Sequence, residues 1–224
     1  MEVNYSRELT TKFLNKYKEL ERVMKDDYSR YIYFKQKYDS KFEMFRYIRN
    51  NLSHNESRAD YPVIVAKSVY EDLAYILDLM KLKNSEKLTQ ISKLFVADLN
   101  AKVKDVIQKM VKQNYSFVPV LNDKKHVVGV ISENTIVTYM NQTGEGLIYD
   151  DDTLITELGD LLELSRNPNE RFLFVSNNGN FYESSKLFGN PGKDGKRVGA
   201  LFVTNNGKQS QGLLGVITAW DVVE

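Results

Sequence analysis

Along the first fifty residues apolar side chains recur at helical steps. Phe13, Tyr17, Leu20 and Met24 stand four, three and four apart, and Phe42, Phe45, Ile48 and Leu52 stand three, three and four apart. The spacing predicts two amphipathic helices whose stripes pack together, in a stretch that holds no Gly and no Pro. After the polar break NESRADYP a third helical pattern runs through Val69, Leu73, Ile76, Leu77 and Met80, and the polar stretch KLKNSEKLTQ then reads as a linker. From about Ile91 the texture changes to short β-rich runs. SFVPVL and HVVGVI flank the turn NDKK, and RFLFVS, GALFVT and LLGVIT follow, with the helical segments VKDVIQKMV and FYESSKLF between them. The expected fold class is α + α/β: a helical domain over 1–88 and an α/β pair over 89–224, its first copy about 91–141 and its second about 170–224.

The second half repeats itself. VVGVISENTIV (127–137) aligns with LLGVITAWDVV (213–223), placing Gly129 on Gly215, Ser132 on Thr218 and Thr135 on Asp221. FVPVLND (117–123) aligns with ALFVTNN (200–206), and a helix precedes that strand in each copy. Two β-α-β-β-α units follow. A strand that runs into Ser or Thr at a helix start offers backbone N–H groups to an anion, and Asp in the first turn can accept from a sugar diol. Thr218-x-x-Asp221 has equally the spacing of a capping box, in which Asp serves only the helix N-terminus. Thr135 stands where the second copy has Asp221, and a hydroxyl lacks the double acceptor a diol prefers. One competent cleft is expected, in the second copy. The Gly-rich insertion GNPGKDGKRVG (189–199) carries Lys193, Lys196 and Arg197, which suit either a flap over ligand phosphates or an exposed loop.

This repeat resembles a tandem of cystathionine-β-synthase-type (CBS) domains over residues ~91–224. GVITAWD matches the family's G-h-h-[ST]-x-x-D ending fully, and GVISENT matches it without the Asp. The resemblance implies two units packed through their sheets, with clefts for adenosine-bearing ligands such as AMP, ATP or S-adenosylmethionine. It implies that Thr218 faces the phosphate or sugar, that Asp221 binds the ribose hydroxyls, and that Val175, Ser176, Ala200 and Phe202 enclose the adenine, with Ser132 and Thr135 as the first copy's counterparts.

Composition narrows the chemistry. The 224 residues include no Cys and two His, which removes disulfides, Cys-ligated zinc and thiol nucleophiles, fits a reducing cytoplasmic setting, and leaves no metal site to expect. No stretch approaches the apolar length of a membrane span, and MEVNYSRELT lacks a secretory core. The net charge of +1 argues against duplex DNA as a partner. It averages two halves, since residues 1–90 hold 17 basic and 14 acidic side chains and residues 91–224 hold 14 and 16.

Catalysis, if any, has one place to sit. Arg49-Asn50-Asn51-Leu52-Ser53-His54 closes an aromatic-rich helix and resembles the R-[polar]-x-x-x-H motif of HEPN-type helical bundles, many of which are ribonucleases. RNA carries its own nucleophile, so cleavage needs a proton-moving group, for which His54 is suited, and a cation on the phosphate, for which Arg49 is suited, without metal. Asn50 lies four residues before His54 on the same helix face and could orient it. Arg49 lies about 140° round a helix from His54, a mismatch that a cleft shared by two protomers relieves. The other reading makes these residues inter-helix hydrogen bonds and a helix end.

The sequence therefore points to a cytoplasmic regulatory homodimer. Its CBS pair binds an adenine nucleotide as a regulatory ligand, with no cofactor for chemistry, and modulates a helical dimerisation or effector domain. The alternatives are a nucleotide-regulated, metal-independent endoribonuclease acting on single-stranded RNA, and a non-catalytic interaction scaffold.

Overall fold

The structure is a computed structural model that describes residues 2–53, 65–143 and 151–223. Its contacts divide the chain into two units, Met1–Leu82 and Lys83–Glu224.

The first unit holds four helices, α1 (Glu2–Asp26), α2 (Tyr28–Lys37), α3 (Asp39–Ser53) and α4 (Lys67–Lys81). The apolar stripes form its core: Phe13 and Leu20 from α1, Phe42, Phe45, Ile48 and Leu52 from α3, and Leu73, Ile76, Leu77 and Met80 from α4 are all buried. Phe13 and Phe45 meet edge to face at 6.4 Å between ring centroids. Where the periodicity predicts two helices before the polar break there are three. Asp27 makes the difference, because its carboxylate accepts from the Arg30 N–H at 3.0 Å and starts α2 one residue after α1 ends. The same carboxylate pairs with the Arg30 guanidinium at 2.8 Å, and that guanidinium donates to the Met80 carbonyl at the end of α4. Burial pushes the Asp27 carboxyl up, but the Arg30 N–H, the Ser29 hydroxyl and the Arg30 charge outweigh it and hold it below the ordinary aspartate range.

The second unit contains both copies of the repeat. The first runs β2 (Ala97–Asp98), α5 (Val103–Gln113), β3 (Phe117–Leu121), β4 (Val127–Ser132) and α6 (Glu133–Thr143). The second runs β5 (Glu170–Ser176), α7 (Phe181–Gly189), β6 (Arg197–Thr204), β7 (Gly215–Ile217) and α8 (Trp220–Val223). Each copy pairs its first strand parallel to its second and its second antiparallel to its third, giving the sheets β2-β3-β4 and β1-β7-β6-β5. The outer strand β1 (Thr89–Gln90) precedes the first copy yet pairs with β7 of the second.

Strand alternation sets two faces on each sheet. Val118, Val120 and Ile131 bury with Val103, Val106 and Met110 of α5, while Val198, Leu201, Val203 and Ile217 face Phe181, Leu187 and Phe188 of α7. The opposite faces meet each other: Val127 and Val130 of the first sheet share a core with Phe172, Ala200, Phe202 and Val216 of the second. Phe117 sits 5.5 Å from Phe172 and 6.5 Å from Phe202, and Phe172 stacks on Phe202 at 5.8 Å.

The aligned glycines have one job in both copies. A Cβ on Gly129 would lie 2.7 Å from the Leu162 carbonyl oxygen, and one on Gly215 would collide with the Thr89 carbonyl. At each position the segment that introduces one copy crosses the third strand of the other, and only a residue without a Cβ lets it pass.

Candidate functional site

The strand-to-helix junctions β4–α6 and β7–α8 carry the aligned polar residues, and their hydrogen bonding differs. At the first junction the Ser132 N–H donates to Thr135 Oγ1 at 3.2 Å and the Thr135 N–H donates to Ser132 Oγ at 3.2 Å, a reciprocal capping box. The two hydroxyls lie 3.1 Å apart, and Ser132 Oγ accepts a further bond from Asn167 Nδ2 at 2.9 Å. Ser132, Thr135 and Asn167 are 1%, 5% and 6% exposed, so these three side chains are shut away from solvent, although Glu133 between them is exposed.

The second junction is open. Asp221 Oδ2 accepts from the Thr218 N–H at 2.6 Å and from the Thr218 hydroxyl at 2.8 Å. Both residues are half-buried, Ala219 is exposed, and Trp220 stands 79% exposed beside them. Asp221 thus does cap the junction, but with one oxygen only. Its Oδ1 has no protein partner among the described residues.

The residues assigned to the adenine lie on two faces of the second sheet. Phe202 and Ala200 are fully buried in the inter-sheet core, where they pack on Phe172 and on the first copy. Val175 is half-buried on the α7 side, and Ser176 ends β5. The Ser176 hydroxyl donates to the Asn205 carbonyl at 2.9 Å and its own carbonyl accepts from Asn84 Nδ2 at 2.8 Å. Asn84 comes from the stretch that reads as a linker. It is fully buried, its N–H donates to the Gly179 carbonyl, and Lys83 bridges to Asn180, so this stretch clamps the β5–α7 turn.

The basic insertion is tied down rather than loose. Lys196 donates to the Asn167 carbonyl at 2.8 Å, Arg197 grips Glu170 Oε1 with Nε and Nη2, and Arg171 donates to the carbonyls of Asn190 and Lys196. Sequence reasoning missed Asn167 and Asn84. Asn167 Oδ1 accepts from the N–H groups of Asn169 and Glu170, a local turn contact, but nothing local shows that the amide's other end reaches Ser132.

In the helical unit Arg49 ends on α1. Its Nη2 meets Glu21 Oε1 at 3.1 Å, its guanidinium lies 5.9 Å from the Tyr17 ring, and Nη1 reaches Asn50 Oδ1 at 3.4 Å. Asn50 is exposed. His54 lies outside the described residues. Among the described residues no cluster of three His, Asp or Glu could hold a metal ion, and no helix is long and apolar enough to cross a membrane.

The sequence model of the CBS domain family matches residues 88–142, from β1 into α6. Among solved structures, a hemolysin-like protein containing a CBS domain from Oenococcus oeni PSU is 18% identical, with 67% of this chain and 93% of that one covered and a TM-score of 0.45. CbpB in complex with c-di-AMP is 16% identical, with 68% and 89% covered and a TM-score of 0.48. CBSX2 in complex with AMP is 19% identical, with 63% and 92% covered and a TM-score of 0.43. A search of curated proteins gave no match.

Proposed function

We propose that residues 83–224 sense an adenine nucleotide at the β7–α8 junction and that occupancy biases the N-terminal helical unit, which acts as effector or dimerisation element. The observation that carries this reading is the Asp221 carboxylate, half-buried beside an open junction with one oxygen spent on Thr218 and the other without a partner among the described residues. A carboxylate oxygen held in that way suits a vicinal diol, because the acceptor is fixed in place before the ligand arrives. The CBS match over residues 88–142 and the repetition of the same strand and helix order in the second copy support it. Regulation then requires that the nucleotide bind two arrangements of the protein with different affinity, since a ligand that binds both equally shifts nothing.

Calorimetry of the full chain with AMP, ATP and S-adenosylmethionine tests the proposal. At least one is expected to bind, and Asp221→Ala is expected to weaken that binding about 10- to 100-fold, the loss of one or two charge-assisted hydrogen bonds. Absence of heat with all three ligands overturns it.

A further inference from the structure

We infer that the first copy's junction is already occupied by the protein itself, with Asn167 as the internal ligand, so that the chain takes one nucleotide rather than two. The inference rests on the nucleotide reading above and adds its stoichiometry and its reason.

The two junctions begin from aligned sequence and end in different states. A serine hydroxyl has one donor and two acceptor positions. Ser132 Oγ accepts from the Thr135 N–H and from Asn167 Nδ2, and it shares a hydrogen with Thr135 Oγ1. The Ser132 N–H is spent on Thr135, and the Thr135 hydroxyl lies within 3.4 Å of the Val130 carbonyl. The N–H groups and hydroxyls of both Ser132 and Thr135 are thus spent within the protein, which leaves neither residue free to recognise a sugar or a phosphate. At the second junction Asp221 retains an oxygen without a protein partner among the described residues.

Asn167 is itself held at its side-chain amide and at its carbonyl oxygen. Nδ2 is on Ser132, Oδ1 receives the N–H groups of Asn169 and Glu170, and the carbonyl oxygen receives the Lys196 ammonium. Glu170 is in turn fixed by Arg197. A nucleotide entering here would have to undo a buried network at several points and restore each bond in kind, which gives it no net gain. Of the insertion's cations, Lys196 and Arg197 therefore serve the internal ligand.

The source of Asn167 is a difference in length between the copies. Beyond the crossing at Gly129 the chain takes 163–174 to reach Val175, whereas beyond the crossing at Gly215 it takes 90–96 to reach Ala97, and Ala97 and Val175 hold matching places opposite Val120 and Val203. The longer segment is what carries Asn167 over the first junction.

The test is calorimetric titration of the full chain with AMP, alongside Asp221→Ala and Asn167→Ala. The expected result is one equivalent per chain, bound about 10- to 100-fold more weakly by Asp221→Ala and with unchanged affinity by Asn167→Ala, with Tm lowered by about 3–8 °C in the latter because buried bonds are gone. Two equivalents in the parent chain overturn the inference while leaving nucleotide sensing intact. So does one equivalent that Asp221→Ala leaves at full affinity and that disappears in Asn167→Ala. Absence of AMP binding in all three proteins overturns the inference together with the AMP form of the reading beneath it.

Discussion

One carboxylate at residue 27 performs three tasks: it starts α2, pairs with Arg30, and through Arg30 reaches the end of α4. Its proton equilibrium gives a pH signature. The folded carboxyl titrates below the ordinary aspartate range, so its stabilisation is complete above the unfolded value of about 4 and is lost as pH falls through the lower folded value. Asp27→Ala is expected to cost about 1 kcal/mol at pH 7, and the gap from the parent, read as urea midpoints, should narrow toward zero as pH falls through the lowered folded value. A gap that stays constant with pH would show that the charge contributes nothing. Gly129 gives a steric counterpart. Gly129→Ala puts a methyl 2.7 Å from the Leu162 carbonyl and should destabilise by about 1–3 kcal/mol in the same assay, whereas Gly189→Ala, with open space around it, should change little.

At the scale of elements, legibility tracked how local the cause was. The stripes of α1, α3 and α4 stand in the sequence because a helix writes its buried face at a period of 3.6, and Leu73, Ile76, Leu77 and Met80 are all buried as that period requires. The strands β3 to β6 lie over their apolar runs for the same reason at period two, with β4, β5 and β6 reaching one or two residues past them, and β7 keeps only Gly215–Ile217 of its run. The segment holding α2 gives no such stripe: among its ten residues only Phe34 is buried. The stretch 83–90 reads as a linker because its composition is polar, yet Asn84 buries completely by bonding the β5–α7 turn. Asn84→Ala removes the bond to the Ser176 carbonyl, while Asn84 Oδ1 has no hydrogen-bond partner among the described residues. The expected cost is about 1 kcal/mol, with faster amide exchange confined to 83–90 and 176–180. Faster exchange spread evenly over both sheets would contradict a local clamp.

At the scale of the whole second unit, the two copies share one core, since Val127 and Val130 of the first pack with Phe172, Ala200 and Phe202 of the second. Phe202→Ala is therefore expected to cost about 3–5 kcal/mol and to reduce exchange protection in β3 and β4 as well as in β5 and β6. Protection lost only in the second copy would show that the copies are stabilised separately. The sequence by itself determined the helical and α/β halves, the repeat and the aligned positions Gly129/Gly215, Ser132/Thr218 and Thr135/Asp221, because periodicity and spacing are local properties of a chain. It also contained the alternative of cap or ligand at Thr218 and Asp221. Only the tertiary structure decided that Asp221 caps with one oxygen and leaves the other without a partner among the described residues, that Arg49 is bound to Glu21 and Tyr17, and that Ala200 and Phe202 belong to the inter-sheet core. The contact from Asn167 to Ser132 spans 35 positions of sequence, and β1 pairs with a strand more than a hundred residues away. Such contacts leave no periodic trace, because they depend on where the fold brings two segments together and not on the residues that flank either one.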